Sequence, residues 1–395
     1  MTPSFPILKL KKREERRIEA GHLWIFSNEI DTEQTPLKQF EPGQLVAVES
    51  ANGKKIGTAY VNPHSLICAR LMSRKVEELT AAWFIERFQK ALHLRERFYA
   101  KPFYRLLFAE GDCVPGLIVD RYGDVLVAQI STAGMERCKT MIVEALCAVL
   151  KPKSILWRND VSLRELEGLS FEVAAAYGDP PKEVFLTEHE TTFHIPIWEG
   201  QKTGWFFDQH ENRAWFLKHV RGKRILDVFS YIGAWGVEAA VHGAKEVVCV
   251  DSSQTALHWL TQNAERNQVT DRVKIICDDA FDVLRALVAQ KKMFDVVVVD
   301  PPAFIKRQKD MSAGFKAYQR LNQLALSLLP ADGLLMSASC SMHLSDDDFM
   351  NMLFQASDES GNTAQLLWRG GQASDHPVHL AIPETRYLKC AVLHT

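Results

Sequence analysis

Two side chains of this sequence are the main candidates for chemistry because of their type and position: the carboxyl group of Asp300 and the thiol of Cys340. Asp300 follows four consecutive valines and precedes two prolines. A run of β-branched residues is typical of a strand buried on both faces, and proline ends such a strand because it cannot donate to a sheet ladder. A carboxyl group at this end of a parallel strand lies where open α/β sheets bind their ligands.

Cys340 follows a second apolar run, 333–338, which we predict to lie beside the strand of Asp300. A thiol and a carboxyl group at neighbouring strand ends suit methyl transfer to carbon 5 of a pyrimidine. Carbon 5 is a poor nucleophile, and attack of a thiolate on carbon 6 makes it enamine-like. A carboxyl group that holds or protonates cytosine N3 assists this attack. We therefore predict that Cys340 is the nucleophile and that Asp300 is its catalytic partner.

The competing interpretation of Cys340 is a buried and inert thiol. Ser339 and Ser341, which flank it, are typical of a loop and favour the nucleophile. Cys249 and Cys277 lie inside predicted strands instead, and we expect both of them to be inert core residues.

Residues 191–395 alternate between strand and helix patterns, which indicates a doubly wound α/β sheet. Five strands are predicted, at 224–229, 246–251, 273–279, 294–300 and 333–341. Acids mark the carboxyl ends of the first four, namely Asp227, Asp251, Asp279 and Asp300. Because the carboxyl ends of parallel strands lie at one edge of a sheet, we expect these acids to line one ligand site.

The sequence of the first turn of this sheet distinguishes between two classes of ligand, a dinucleotide and a nucleoside without phosphate. A dinucleotide site needs G-x-G-x-x-G there, and the first glycine position is occupied by Tyr231. Gly233 still lets the backbone approach a ligand that has no phosphate. Asp251 follows Asp227 by 24 residues, where its carboxylate suits ribose hydroxyls, and Asp279 suits an adenine amino group. The pattern favours S-adenosylmethionine (SAM) over a dinucleotide.

The first 190 residues predict two smaller regions. Residues 1–75 contain short strands and an Asn52-Gly53 hairpin signal, with 12 Lys and Arg against 8 Asp and Glu. Residues 76–190 predict an α+β unit that opens with a helix at 76–99. The basic residues of the first region are either a solvated face or an RNA-binding surface, and the second region is interpreted as a spacer that shapes a groove.

Bulk composition excludes several other classes of protein. The 395 residues are 47% hydrophobic and 24% charged, with a formal net charge of −2, as in ordinary globular proteins. Membrane spans and a signal peptide are not expected. The eight cysteines form no C-x-x-C pair, so we predict no metal site and a reducing, cytoplasmic location. The sequence leaves open whether the chain forms a homodimer.

With these motifs in place, the chain resembles the bacterial large-subunit (23S) ribosomal RNA cytosine-5 methyltransferases over nearly its whole length. The resemblance rests on residues 111–117, 164–169, 201–209, 227–233, 300–304, 339–341, 375–377 and 383–389. It implies a β-barrel PUA domain at 1–75 that binds RNA, a central α+β domain at 76–190, and a Rossmann-like SAM-dependent methyltransferase domain at 191–395. It also implies that Cys340 is the nucleophile.

Together, motif and resemblance give a set of predicted site residues. The cofactor set is Lys202, Asp208, Asp227, Phe229, Tyr231, Gly233, Asp251, Asp278, Asp279 and Asp300. The RNA-binding set is Lys9, Lys11, Lys12, Arg13, Arg16, Arg17 and Phe304. Large-subunit ribosomal RNA is the expected partner.

Two departures from the family pattern affect the mechanism. Ala303 follows the prolines where many RNA cytosine-5 methyltransferases carry a second cysteine, so a single-cysteine mechanism is implied. His210 stands where relatives often carry arginine. Two alternatives stay open: a methyltransferase acting on a base amine, with Phe304 as a stacking platform, and a non-catalytic RNA-binding or ribosome-assembly module.

Overall fold

The computed structural model describes residues 4–395. They form two compact units, each built from three segments of chain. The first unit contains the chain up to residue 184 together with 196–205 and 374–385, and the second contains 185–195, 206–373 and 386–395. Within the described residues, no helix is long and apolar enough to cross a lipid bilayer.

A five-stranded sheet occupies the N-terminal part of the first unit. Its strands are β1 (Ile7–Lys9), β2 (Trp24–Ile25), β3 (Gln44–Glu49), β4 (Lys55–Val61) and β5 (Ala69–Ser73), with the short helix α1 at Glu15–Glu19. The spatial order is β1-β3-β4-β5-β2. The turn between β3 and β4 carries Gly53 with φ of 81°, as the Asn-Gly signal predicts.

A second five-stranded sheet follows in the same unit. Its strands are β6 (Phe103–Phe108), β7 (Leu117–Tyr122), β8 (Val125–Ile130), β9 (Ser154–Asn159) and β10 (Glu172–Tyr177), in sequential spatial order. The helices are α2 (Ala81–Glu96), α3 (Ala133–Arg137), α4 (Lys139–Leu150) and α5 (Leu163–Leu166). Helix α2 starts later than predicted because the Thr80 hydroxyl caps it, accepting from the Trp83 amide at 3.3 Å.

Buried polar contacts join the two sheets of this unit. The Tyr60 hydroxyl donates to the Pro115 carbonyl and contacts the Thr132 hydroxyl, both at 3.0 Å. The Asn62 amide donates to the Glu167 carboxylate at 2.7 Å. These contacts bridge the predicted 75/76 border, so both regions belong to one compact unit. The three-domain division remains a prediction from the sequence.

The second unit is a seven-stranded sheet with helices around it. After the hairpin β11 (Glu183–Glu188) and β12 (Thr191–Pro196) come β13 (Arg224–Val228), β14 (Glu246–Asp251), β15 (Val273–Cys277), β16 (Val296–Val299), β17 (Leu334–Ser339), β18 (Gln365–Gly371) and β19 (Lys389–His394). The order across the sheet is β15-β14-β13-β16-β17-β19-β18. The helices are α6 (His210–Phe216), α7 (Ala234–Val241), α8 (Gln254–Arg266), α9 (Ala280–Ala289), α10 (Met311–Leu326) and α11 (Asp346–Ser360).

The five predicted strands of this sheet are confirmed and run parallel to one another. All four valines of β16 are buried, because neighbouring strands and helices cover the centre of the sheet. The sequence analysis missed β18 and β19, which pair antiparallel at one side. It was also wrong about Cys277, which is exposed, whereas Cys249 is buried as expected.

Candidate active site

Asp300 lies directly after β16, half-buried, with each carboxylate oxygen hydrogen-bonded. Gln209 Nε2 donates to Oδ1 at 3.0 Å, and Trp235 Nε1 donates to Oδ2 at 3.1 Å. Burial is the main cause that raises the pKa of Asp300 to about 6. Asp300 is thereby a fixed carboxyl group that can exist as acid or base near neutral pH. Gln209 and Trp235 were not singled out from the sequence.

Cys340 lies directly after β17, the neighbour of β16, and is partly exposed. Its Sγ is 3.9 Å from the Pro301 carbonyl oxygen. The structure therefore brings the predicted thiol next to the residue that follows Asp300. Ser339 and Ser341, which the sequence analysis assigned to a loop, are fully buried. The Ser341 hydroxyl accepts from the Ile305 amide at 3.1 Å, which ties the β16 and β17 ends together.

The turn after β13 has a strained backbone. Phe229, Tyr231 and Gly233 all have left-handed φ angles, of 68°, 49° and 92°. A Cβ at Gly233 would lie only 2.6 Å from Val237 Cγ2, so glycine is required there for space as well as for conformation. Non-glycine residues in this region of φ/ψ space cluster at ligand sites, because the surrounding structure must hold them there.

Asp227 lies beneath this turn and is 0% exposed. Strand β13 continues to Val228, so the prediction that Asp227 ends the strand was wrong by one residue. Its Oδ2 accepts from the Gly236 amide at 2.9 Å, while Oδ1 has no hydrogen-bond partner among the described residues. Burial is the main cause that raises the pKa of Asp227 to about 8.

Asp251 ends β14 as predicted, and its carboxylate holds two loops. Oδ2 accepts from the Tyr231 amide at 2.9 Å, and Oδ1 accepts from the Ser253 amide at 2.8 Å. Both bonds fix the carboxylate at the edge of the strained turn. Each oxygen keeps a further lone pair for a ligand hydroxyl.

Asp279 does not end β15, which stops at Cys277, so that prediction was wrong. Its carboxylate caps helix α9, accepting from the Phe281 amide at 2.9 Å. Aspartate is a favoured helix N-cap, because its carboxylate accepts from the first amides of the helix, and this explains why Asp279 belongs to α9 rather than to β15. Asp278, the residue between, is exposed and follows the strand directly.

Asp208, Phe304 and Lys202 occupy different surroundings. Asp208 is buried, and its Oδ2 accepts from the Tyr387 hydroxyl at 2.5 Å. Phe304 is half-buried, with its ring 4.7 Å from that of Tyr318, so it is packed as part of an aromatic cluster. Lys202 belongs to the first unit, and its predicted cofactor contact stays a prediction.

A buried ion-pair cluster holds the start of α6, next to Gln209. Arg213 Nε donates to Glu188 Oε1 at 2.6 Å, and His210 Nδ1 lies 2.9 Å from Glu188 Oε2. Ligand atoms of Glu188, His189 and His210 lie within 4.8 Å of one another, a spacing that could hold a metal ion. Both oxygens of Glu188 are already engaged, however, and we interpret the cluster as a support for α6. Burial lowers the pKa of His189 to about 4.

The basic residues near the N-terminus are only partly available. Lys9 Nζ donates to Gln34 Oε1 at 2.7 Å, and Arg17 pairs with Glu29 at 2.6 Å. The exposed members of the predicted RNA-binding set are Lys11, Lys12, Arg13 and Arg16. Their contact with RNA stays a prediction.

The donors and acceptors around the turn fit SAM rather than a dinucleotide. Carboxylates end or approach three adjacent strands, and within residues 4–395 one buried oxygen of Asp227 has no hydrogen-bond partner, which a polar ligand would explain. Tyr231 interrupts the glycine pattern that would bind a pyrophosphate.

Comparison with known proteins agrees with this fold. A solved Streptococcus mutans chain assigned as a SAM-dependent methyltransferase matches with a TM-score of 0.84 at 22% identity, covering 99% of this chain and 100% of that one. A second, assigned as a methyltransferase and complexed with SAH (S-adenosylhomocysteine), matches at 0.85 with the same identity and coverage. Family models described as "PUA-like domain" and "Conserved hypothetical protein 95" match residues 8–74 and 207–332. The fold and site define a SAM-dependent methyltransferase with a PUA-like domain.

Curated relatives match over essentially the whole chain. "Ribosomal RNA large subunit methyltransferase I" of Vibrio vulnificus strain CMCP6 is 36% identical, covering 96% of this chain and 97% of the relative. The protein of that name from Vibrio cholerae strain O395 is 36% identical with full coverage of both chains, and that of Salmonella arizonae is 33% identical, covering 98% and 97%. The chain belongs to the ribosomal RNA large subunit methyltransferase I family.

Proposed function

We propose that this protein transfers a methyl group from SAM to carbon 5 of a cytosine in large-subunit ribosomal RNA, through a covalent adduct between Cys340 and carbon 6. The observation that carries the proposal is the 3.9 Å separation of Cys340 Sγ and the carbonyl oxygen of Pro301, the residue that follows Asp300. The names of the relatives support ribosomal RNA as the substrate.

Asp300 and Cys340 divide the activation of the base between them. Cys340 forms the S–C6 bond as a thiolate, and electron density moves toward carbon 5 and N3. Protonated Asp300 donates to N3. Burial favours this protonated form, while Gln209 and Trp235 donate to the two oxygens and hold the group in place. With a pKa of about 6, roughly one tenth of the Asp300 population carries its proton at pH 7.

SAM, when bound, supplies an electrophilic methyl group and leaves as S-adenosylhomocysteine. In the last step a base takes the proton from carbon 5. The electrons of that C–H bond re-form the C5=C6 double bond, and the S–C6 bond breaks to return Cys340. With Ala303 after the prolines, release proceeds without a second cysteine from this loop.

We assign the cofactor contacts to the strand ends and the strained turn. Asp251 accepts from the ribose hydroxyls, and Asp278 is better placed than Asp279 for the adenine, because Asp279 caps α9. Phe229, Tyr231 and Gly233 shape the backbone against the ligand, and Asp227 supports the turn from below. Asp208 completes the proposed set within the second unit, and the cofactor contact of Lys202 rests on the sequence resemblance alone.

RNA reaches this site as a base turned out of its stack, at a cost of a few kcal/mol. The PUA-like residues 8–74 supply the proposed RNA contact. Exposed Lys11, Lys12, Arg13 and Arg16 are the phosphate-binding side chains that we assign to it.

Replacement of Cys340 by alanine tests the proposal. The variant should lose methyl transfer to ribosomal RNA, measured with tritiated SAM, while calorimetry shows that it still binds SAM. Cys277→Ala, which removes an exposed thiol at another strand end, is the matched control and should keep wild-type activity. Full activity of Cys340→Ala would refute the covalent mechanism.

The nucleosides of the product distinguish the remaining alternatives. Mass spectrometry of digested RNA should show 5-methylcytidine, and N-methylated bases would instead indicate a base-amine methyltransferase. Phe304 is packed against Tyr318, which disfavours its use as a free stacking platform. Failure of the wild-type protein to bind SAM would favour a non-catalytic RNA-binding module.

A further inference from the structure

Lys389 is a buried lysine that the proposed mechanism does not use. It is the first residue of β19 and lies opposite Ser339 in the antiparallel pairing of β17 and β19. Its side chain is nearly inaccessible, at 6% exposure for the residue. Its Nζ donates to the carbonyl oxygen of Ser341 at 2.7 Å. Lys389 therefore contacts one neighbour of Cys340 and pairs with the other.

The surroundings of this ammonium group lack a direct counter-charge. In residues 4–395, no carboxylate oxygen lies within the 4.0 Å of an ion pair with Lys389 Nζ. Buried cations are normally paired, because the loss of hydration is otherwise uncompensated. Burial lowers the pKa of Lys389 to about 8, while the charges of Asp346 and Cys340 act to raise it and Arg386 acts to lower it.

Asp346 is already engaged elsewhere. Its carboxylate pairs with Arg386 at 3.0 Å and with Arg369 at 3.5 Å. The other anion that can form near Lys389 is the thiolate of Cys340. A cation near a thiol favours the thiolate, which is the nucleophilic form.

We propose that Lys389 is a positioning residue whose ammonium group sits beside Cys340 and stabilises its thiolate, while its hydrogen bond to the Ser341 carbonyl orients the loop that carries the thiol. The inference rests on the proposed role of Cys340 as the nucleophile. Lys389 takes no part in bond formation with the base. Its contribution is to keep the proton off Cys340 at neutral pH.

Three substitutions separate the charge of Lys389 from its hydrogen bond. Lys389→Gln removes the charge and keeps an N–H donor for Ser341, whereas Lys389→Met removes both. Lys389→Arg keeps the charge. If only the hydrogen bond matters, glutamine should behave as wild type; if the charge matters, glutamine should behave as methionine and arginine should rescue.

The readout is the pH dependence of Cys340 alkylation by iodoacetamide, followed peptide by peptide with mass spectrometry on the full chain without RNA. Loss of an opposite charge near the thiol should raise the midpoint of Cys340 alkylation by about 1–3 pH units in Lys389→Gln and Lys389→Met. Exposed Cys277 provides an internal reference that should not shift between variants. A Lys389→Gln midpoint equal to that of the wild type would overturn the proposal.

Two further measurements, SAM binding and the methyl-transfer rate, distinguish a loss of folding from a loss of the lysine charge. SAM binding by calorimetry reports folding of each variant, and Lys389→Gln decides the test if Lys389→Met does not fold. The ratio of the Lys389→Gln methyl-transfer rate to the wild-type rate at the same pH should rise with pH, because the thiolate then forms without the lysine charge and the titration of Asp300 is common to both proteins. An absence of 5-methylcytidine in the wild-type product would refute the proposed function, yet it would leave the alkylation result intact.

Discussion

Replacing Asp227 with asparagine should make the stability of the second unit less sensitive to pH. The Asp227 carboxyl group is fully buried, and burial raises its pKa to about 8. Asparagine has a similar shape and cannot ionise, and its amide oxygen can still accept from Gly236. The substitution therefore removes one titration while it keeps the one hydrogen bond that Asp227 makes.

The sign and size of this pH dependence of the unfolding free energy follow from proton linkage. An aspartate in the unfolded chain has a pKa of about 3.9, so between about pH 4 and pH 8 the folded state binds one proton more than the unfolded state. The free energy of unfolding therefore falls as pH rises, by up to about 1.4 kcal/mol per pH unit from this group. Between pH 5 and pH 7, the wild type should lose roughly 2.7 kcal/mol that Asp227→Asn keeps.

Urea denaturation at pH 5, 6 and 7, followed by circular dichroism, measures this difference. Asp300, whose pKa is raised to about 6, titrates in both proteins, so its contribution cancels in the comparison. If the two compact units unfold in separate transitions, the transition altered by the substitution is the one to compare. Parallel plots of unfolding free energy against pH for the two proteins would refute the reasoning.

Three other substitutions, one of them paired with a control at Gly243, test the second unit and its site. Gly233→Ala and Gly243→Ala both force alanine into a left-handed backbone conformation, at a cost of about 1 kcal/mol. Gly233→Ala should lower the free energy of unfolding by about 1–3 kcal/mol more, because its Cβ meets close neighbours. Equal losses for the two variants in urea denaturation would contradict this. Asp251→Asn should weaken SAM binding at least about tenfold in calorimetry, whereas unchanged affinity would remove Asp251 from the ribose site. Arg213→Met should destabilise the second unit by about 3–5 kcal/mol, because it leaves the buried Glu188 carboxylate without its arginine partner. A loss below about 1 kcal/mol would show that His210 alone suffices as the partner of Glu188.

The sequence predicted the parts of the site that are encoded locally. The valine run and the prolines place the Asp300 strand, and the apolar run before Cys340 places its neighbour. The β16 and β17 pairing then brings both groups to one edge of the sheet. These predictions depend on strand patterns that any doubly wound sheet repeats.

The missed residues reach the site from distant parts of the chain. Gln209 and Trp235 contact Asp300 across 91 and 65 residues of sequence, and no local pattern records such contacts. Asp279 was misassigned because a helix cap and a strand end look alike when an acid follows an apolar run. Lys389 could have been found, since the apolar run 390–393 after it is a strand signal.

The segmented chain has a consequence for how this protein can change during evolution. The two compact units alternate in six segments, so the backbone passes from one to the other five times. A single recombination breakpoint cannot exchange one whole unit, because each unit is made of three separate segments. The recombinant chain would therefore contain units assembled from segments of two different parents. A breakpoint after residue 373, for example, would separate Cys340 from Lys389. The two compact units are therefore expected to be inherited together rather than shuffled as independent modules.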